Sequence, residues 1–166
     1  MEPMELDRTF RLAFQQARPR SVNVGYAGLT LLSARSLAKG QVGYARDPKG
    51  RSLTGRRKGA WRETWVVIGH ETMCGDPIFV DLARPGWPVY TAMHGEGVWD
   101  PVPVARSFEG FVEGMQVMER ASRGRSSPVA LERKPLRPAE LAKLKKNLRC
   151  LGAAAEQQFW LMWFEA

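Results

Sequence analysis

Four short apolar runs, separated by turns carrying Gly and Pro, occupy the middle of the chain and leave it few ways to fold. Trp65-Val66-Val67-Ile68 is the first, and Ile78-Phe79-Val80-Asp81-Leu82 follows a turn at Gly75-Asp76-Pro77. Pro88 to His94 is entered through Pro85-Gly86, and Trp99 to Val104 is the last. β-Branched and aromatic side chains suit a pleated, half-buried surface, so each run is predicted as a strand. Pro101 and Pro103 cannot donate to a ladder, which confines the last run to a sheet edge or an irregular strand. Ser107 then offers an N-cap for a helix from Phe108 to about Arg120, with Phe108, Phe111, Val112 and Met115 turned inward. Strands on short turns followed by a helix predict an α+β fold, an antiparallel-rich mixed sheet with helices packed mainly on one side. Trp65, Val67, Ile78, Val80, Val89 and Phe108 are expected to pack the sheet under the helix.

The flanks add elements of both kinds. Leu6, Phe10, Phe14 and Ala17 share one helical face, and Pro19 closes that helix. Gly28 to Leu32 reads as a short buried strand, after which Ser33 is expected to cap a helix running to about Gly40. Gln41 to Ala60, rich in Gly, Arg and Lys, reads as a long loop, a length that usually signals function or mobility. Ala121 to Arg137 reads as a surface connection. Pro138 suits the first turn of another helix, with Leu141, Leu144 and Leu148 as its apolar stripe. Phe159 to Phe164 is apolar on both phases: either a terminal element that completes the core or an oligomer or partner patch. A length of 166 residues is one domain's worth, so a single domain over 1–166 is expected, its motif-bearing part at about 26–113 and a basic C-terminal extension at about 121–166.

The net charge of +8 is unevenly placed. Residues 61–113 hold 3 Lys/Arg against 8 Asp/Glu, whereas residues 1–60 hold 12 against 4 and residues 114–149 hold 10 against 3. An acidic centre is thus flanked by two basic arms, unlike the single basic face of a nucleic-acid binder. Cys74 and Cys150 form no disulfide framework, which suits a reducing cytosol. The acidic start, Met1 to Glu5, shows no signal-peptide pattern, and no apolar run approaches the length of a membrane span. A cytoplasmic location without membrane association is expected.

His70, Cys74, Asp76 and His94 are the candidate metal ligands, but only His70-x-x-x-Cys74 is locally spaced, short of the paired spacings of zinc sites. Cys74, His94 and Asp81 supply the residue types of a nucleophilic set, which geometry and not composition defines. His94 has a plainer reading, a hydrogen bond into the Gly95-Glu96-Gly97 turn. Gly55-Arg56-Arg57-Lys58-Gly59 lacks the phosphate-loop pattern, and Gly95-x-Gly97 opens no helix. The expectation is therefore no catalytic residues, no metal and no cofactor. The loop Lys49 to Arg62 places Arg51, Arg56, Arg57, Lys58 and Arg62 near Trp61, a combination able to stack and neutralise nucleic acid. No nucleic-acid motif accompanies it, and direct nucleic-acid binding is not expected.

The order of the central pieces is itself a motif. Trp65-Val66-Val67-Ile68-Gly69-His70, Gly75-Asp76-Pro77-Ile78-Phe79-Val80-Asp81, Pro88-Val89-Tyr90-Thr91-Ala92-Met93-His94-Gly95, Trp99-Asp100, and Val104-Ala105-x-Ser107-Phe108-Glu109-x-Phe111 follow one another. The series resembles the SUKH superfamily, also called the Smi/Knr family, over residues 26–113. The resemblance implies a scaffold with no common enzymatic activity, whose bacterial members are mostly immunity proteins that bind and neutralise a cognate toxin, often one that attacks nucleic acid. The reduced N-terminal helix, the basic Arg56-Arg57-Lys58 loop and everything after about Arg120 depart from that pattern.

On this reading the partner is a cognate toxin protein, and the contact residues are expected among Glu71, Glu96, Trp99, Asp100, Arg56 and Arg57. Carboxylates would meet a basic cleft, and Trp99 would anchor the interface. The same residues could instead be solvated turns and a core tryptophan. A regulatory scaffold or adaptor without a toxin is the alternative function, with a small hydrolase or a nucleic-acid-binding protein behind it.

Overall fold

The computed structural model describes residues 6–165. Among these residues six strands, β1 (Ser21–Val24), β2 (Ala27–Leu31), β3 (Trp65–Glu71), β4 (Pro77–Asp81), β5 (Val89–Thr91) and β6 (Val102–Ala105), form one sheet in chain order. The fold is α+β, and every pairing is antiparallel, because each connection is a hairpin or an irregular loop and none is a crossover helix. The helices are α1 (Arg8–Gln16), α2 (Phe108–Ser122), α3 (Pro128–Arg133), α4 (Pro138–Asn147) and α5 (Ala154–Leu161).

All five α-helices among the described residues contribute to one apolar cluster on one face of the sheet. Phe10 and Phe14 of α1, Phe108, Phe111, Met115 and Met118 of α2, and Leu131, Leu144 and Trp160 of the later helices meet Val66, Ile68, Ile78, Val80 and Val89 there. Ser107 caps α2 by accepting from the Gly110 N–H at 3.0 Å, as expected. Gly110 is needed for another reason: a Cβ there would lie 2.2 Å from the Cys150 carbonyl oxygen, so its absence lets the 148–151 segment pack directly on α2. β6 is an edge strand, as its prolines demanded, and its Val104 carbonyl accepts from the Trp160 indole at 3.0 Å. The tail therefore belongs to the core through Trp160 and Trp163, while Met162 is exposed.

Several expectations change. Trp65 and Val67 do not lie under the helices; with Phe79 they point to the opposite face, since strand side chains alternate. No α-helix follows Ser33: Ser33 and Ser36 bond each other's side chains and backbone in a tight turn, and a short 3-10 turn at Lys39–Gln41 follows. β1 is an additional strand, marked in the sequence only by Val22 and Val24 alternating before Gly25. The connection Ala121 to Arg137 is not merely surface, for it contains α3, capped by Ser127, and the buried Arg125. Arg125 donates to the Lys134 and Ala121 carbonyls and to Glu140, tying the end of α2 to α4. Among the described residues no helix is long and apolar enough to cross a membrane.

Candidate functional site

The opposite face of the sheet carries a second, smaller cluster of Trp61, Val67, Phe79 and Ala92, with Tyr44, Trp65, Tyr90 and Trp99 packed around it. Its cover is not a helix but the long loop after Gln41. Gln41 is fully buried, and its side-chain amide behaves as a piece of strand. Beyond Leu32 the β2 ladder ends, and Gln41 takes over: Oε1 accepts from the Val67 N–H at 2.9 Å while Nε2 donates to the Val67 carbonyl at 2.8 Å. Nε2 also donates to the Leu37 carbonyl at 2.8 Å. Two backbone groups in mid-sheet are thereby satisfied by one side chain, which also pins the start of the loop.

From that anchor the loop folds back over the aromatic layer. Tyr44 packs against Trp61 and Trp99 at centroid distances of 5.2 and 5.4 Å, and Trp61 lies 4.7 Å from Phe79. The Trp61 indole donates to the Trp65 carbonyl at 3.1 Å. Trp61 is therefore buried beneath the basic loop and presents no face on which a base could stack. Asp47 closes a turn in the loop by accepting from the Lys49 and Arg51 N–H groups, and Arg62 donates to the Gly55 carbonyl.

The loop then meets the β5–β6 connection. The Trp99 N–H donates to the Gly59 carbonyl at 2.8 Å. Gly59 has φ +82°, and a Cβ there would press on Val98 at 2.8 Å, so glycine permits both the turn and the close approach. The junction forms a cleft of about 360 Å³ whose walls include Leu53, Arg57, Lys58, Val98 and Trp99.

The structure thus brings Arg57 and Trp99 into one cleft. Arg56, Glu96 and Asp100 are exposed beside them in sequence. Trp99 is half-buried, with one edge in the aromatic layer and the other in the cleft. Glu71 is not part of the lining; its carboxylate accepts from the Met73, Cys74 and Asp76 N–H groups at 2.7–2.9 Å and shapes the β3–β4 turn. Sequence reasoning does not single out Tyr44, Leu53 or Val98. The signal for Leu53 is its position as the one apolar residue in Arg46 to Gly59 other than glycine and proline.

His94 does not bond into its own turn. Its Nδ1 and its backbone N–H both meet Asp76 Oδ1, at 2.6 and 2.9 Å, joining the β5–β6 connection to the β3–β4 turn. Cys74 Sγ makes no hydrogen bond to either residue among the described residues, and Asp81 is occupied by the Thr64 hydroxyl and the Ala83 N–H. The Cys74, His94 and Asp81 side chains are thus not assembled as a nucleophile, base and orienting acid. His70 receives or donates one bond, 3.2 Å from the Tyr44 hydroxyl, and burial holds its pKa below the usual imidazole value while raising that of Tyr44. Among the described residues no three His, Cys, Asp or Glu side chains converge as a metal site would require.

Comparison with protein-family models, with curated proteins and with solved structures returns no match for this chain.

Proposed function

We propose that this protein is an immunity-type binding module that neutralises a cognate bacterial toxin by direct contact, using the cleft between the basic loop and the β5–β6 connection. The observation that carries the reading is the placement of Trp99. It is anchored by its backbone to Gly59, supported from beneath by Tyr44 and Trp61, and open at its edge to a cleft walled by Arg57. A tryptophan held rigid in this way loses little freedom on binding, which is the usual character of an interface anchor.

The charges around it are of two signs. Arg57 and Lys58 line the cleft with Arg56 next to them in the chain, and the exposed Glu96 and Asp100 adjoin its other lining residues, Gly97 and Trp99, in sequence. Such a bipolar frame fixes the register of a partner and disfavours surfaces with the opposite arrangement. It fits a protein better than a polyanion, because exposed carboxylates at Glu96 and Asp100 repel phosphate at short range. The SUKH resemblance supplies the kind of partner, and the cleft supplies a surface on which to meet it.

The test is co-purification with the product of the adjacent gene, paired with rescue of cells expressing that product. Binding with rescue is expected, with Trp99→Ala weakening affinity by tenfold or more while the protein stays folded. Failure both to bind and to rescue removes the toxin reading.

A further inference from the structure

A second apolar concavity lies on a different part of the molecule, and it is larger than the cleft. It encloses about 460 Å³ between the β1–β2 turn, α3, the β3–β4 turn and the C-terminal 3-10 turn Met162–Phe164. Nine large apolar side chains are exposed among the described residues, and four of them, Tyr26, Met73, Val129 and Met162, line this groove. Tyr26 is 76% exposed and Met73 60%, so these are not side chains grazing the surface of the core. A concentration of apolar exposure at one place marks a contact surface more often than chance scatter does.

Its charge distinguishes the occupant. On a chain of net charge +8, the only charged residues lining this groove among the described residues are Glu132 and Glu165. Neither carboxylate has a hydrogen bond or an ion pair with another described residue. The groove is thus an apolar trough with free carboxylates in its wall, complementary to an apolar segment that carries cationic side chains. Met73 from the β3–β4 turn and Met162 from the C-terminal 3-10 turn give the trough an unbranched, polarisable lining that adapts to varied side chains.

We propose that this groove docks a basic amphipathic segment of a partner protein, its apolar face against Val129, Met73 and Met162 and its Lys or Arg side chains paired with Glu132 and Glu165. The site is separate from the Trp99 cleft and does not depend on the toxin reading. It makes the protein capable of holding two partners, or two parts of one, at once.

The probe is a pair of fluorescein-labelled peptides of 14 residues with identical leucine positions, one with lysine and one with glutamate on the polar face, titrated into the full-length protein by anisotropy. The lysine peptide is expected to bind at least tenfold more tightly. Val129→Arg and Met162→Asp should each weaken it at least tenfold, and Glu132→Lys with Glu165→Lys should abolish the preference. Val129 and Met162 are each 55% exposed, so unchanged thermal midpoints are expected and are checked for every variant. Equal binding of the two peptides, or binding that ignores Val129→Arg and Met162→Asp, overturns the proposal. So does a concentration-dependent dimer in sedimentation that Val129→Arg dissolves, since the occupant would then be a second copy of this chain.

Discussion

The two faces of the sheet are covered by different means. On one, five helices bring aliphatic side chains and phenylalanines onto Val66, Ile68, Ile78, Val80 and Val89. On the other, an irregular loop lies over a layer of tryptophan and tyrosine. Helices satisfy their own backbone groups, so that covering needs only apolar volume to hold it. A loop has no such internal ladder and depends on a few specific bonds: Gln41 to Val67, Trp61 to Trp65, Arg62 to Gly55, Trp99 to Gly59. The difference teaches where change is tolerated. Outward side chains on the loop can vary without disturbing packing beneath them.

Removing volume from the helical face should have the largest effect. Phe111 is fully buried between Phe108 and Trp160, and Phe111→Ala is expected to cost about 3–5 kcal/mol in urea denaturation. Trp99→Ala, on a half-buried ring, should cost less than about 2 kcal/mol by the same measurement. Equal losses at the two positions would mean that the loop-covered face is as much a part of the stability core as the helical one, and the contrast would fail.

Gln41 breaks the comparison from the other side. Gln41→Leu keeps an apolar filler but leaves the Val67 N–H and carbonyl, both deep in the sheet, without partners. At about 1–3 kcal/mol for each orphaned group the loss should be comparable with that of Phe111→Ala. The sharper readout is local. Hydrogen exchange should quicken at Gly55 and Trp99, whose N–H groups bond within the loop layer, and leave α2 amides protected. Uniform loss of protection would show that loop and helices unfold as one unit.

What was readable before the structure divides along the same line. The helical face obeys periodicity: Leu6, Phe10, Phe14 and Ala17 are all buried as spaced, and the Ser107 cap and the Pro138 helix start stand where local chemistry puts them. The loop face obeys no period. Trp65 and Val67 lie on the side opposite to the one expected because a two-residue alternation says which residues share a face but not which face meets the helices. Ser33 looked like a helix cap because the cap and the Ser33–Ser36 turn use the same side-chain bond. Nothing in the sequence marks Gln41, since pairing with Val67, 26 positions on, is a tertiary event. Of the candidate contact residues, Arg57 and Trp99 meet in the cleft because Gly59 lets two distant turns touch, and Glu71 is consumed by its own turn.

Acid should separate the faces in order. His70 sits beside Tyr44 under the loop, and burial lowers its pKa, so the folded state disfavours the imidazolium. Stability from this group is complete above about pH 6.5, the usual imidazole value, and is lost as the pH falls below it. Glu140 lies on the helical side. The Arg137 N–H, the Arg137 side chain and the Arg125 guanidinium hold its pKa at about 2, down from 4.5. Its contribution is complete above pH 4.5 and disappears as the pH falls towards 2. His70→Gln should flatten the first limb of a stability-against-pH curve and leave the second. Glu140→Gln should do the reverse, and it should also lower stability at pH 7 by stranding the buried Arg125.

The smallest stability effect should fall on Arg57. Arg57 is exposed and has no ion pair or side-chain hydrogen bond with another described residue, so Arg57→Ala is expected to change folding stability by no more than about 0.5 kcal/mol. If the cleft is the contact surface, the same substitution should slow association with the partner and reduce its salt dependence, because an exposed charge at an interface edge acts mainly on encounter. Trp99→Ala should instead speed dissociation, because the anchor acts after encounter. Surface-based kinetics at two salt concentrations read the two effects apart. A loop built only to cover the aromatic layer would show neither: Arg57→Ala would be silent in every measurement, and Trp99→Ala would register in stability alone.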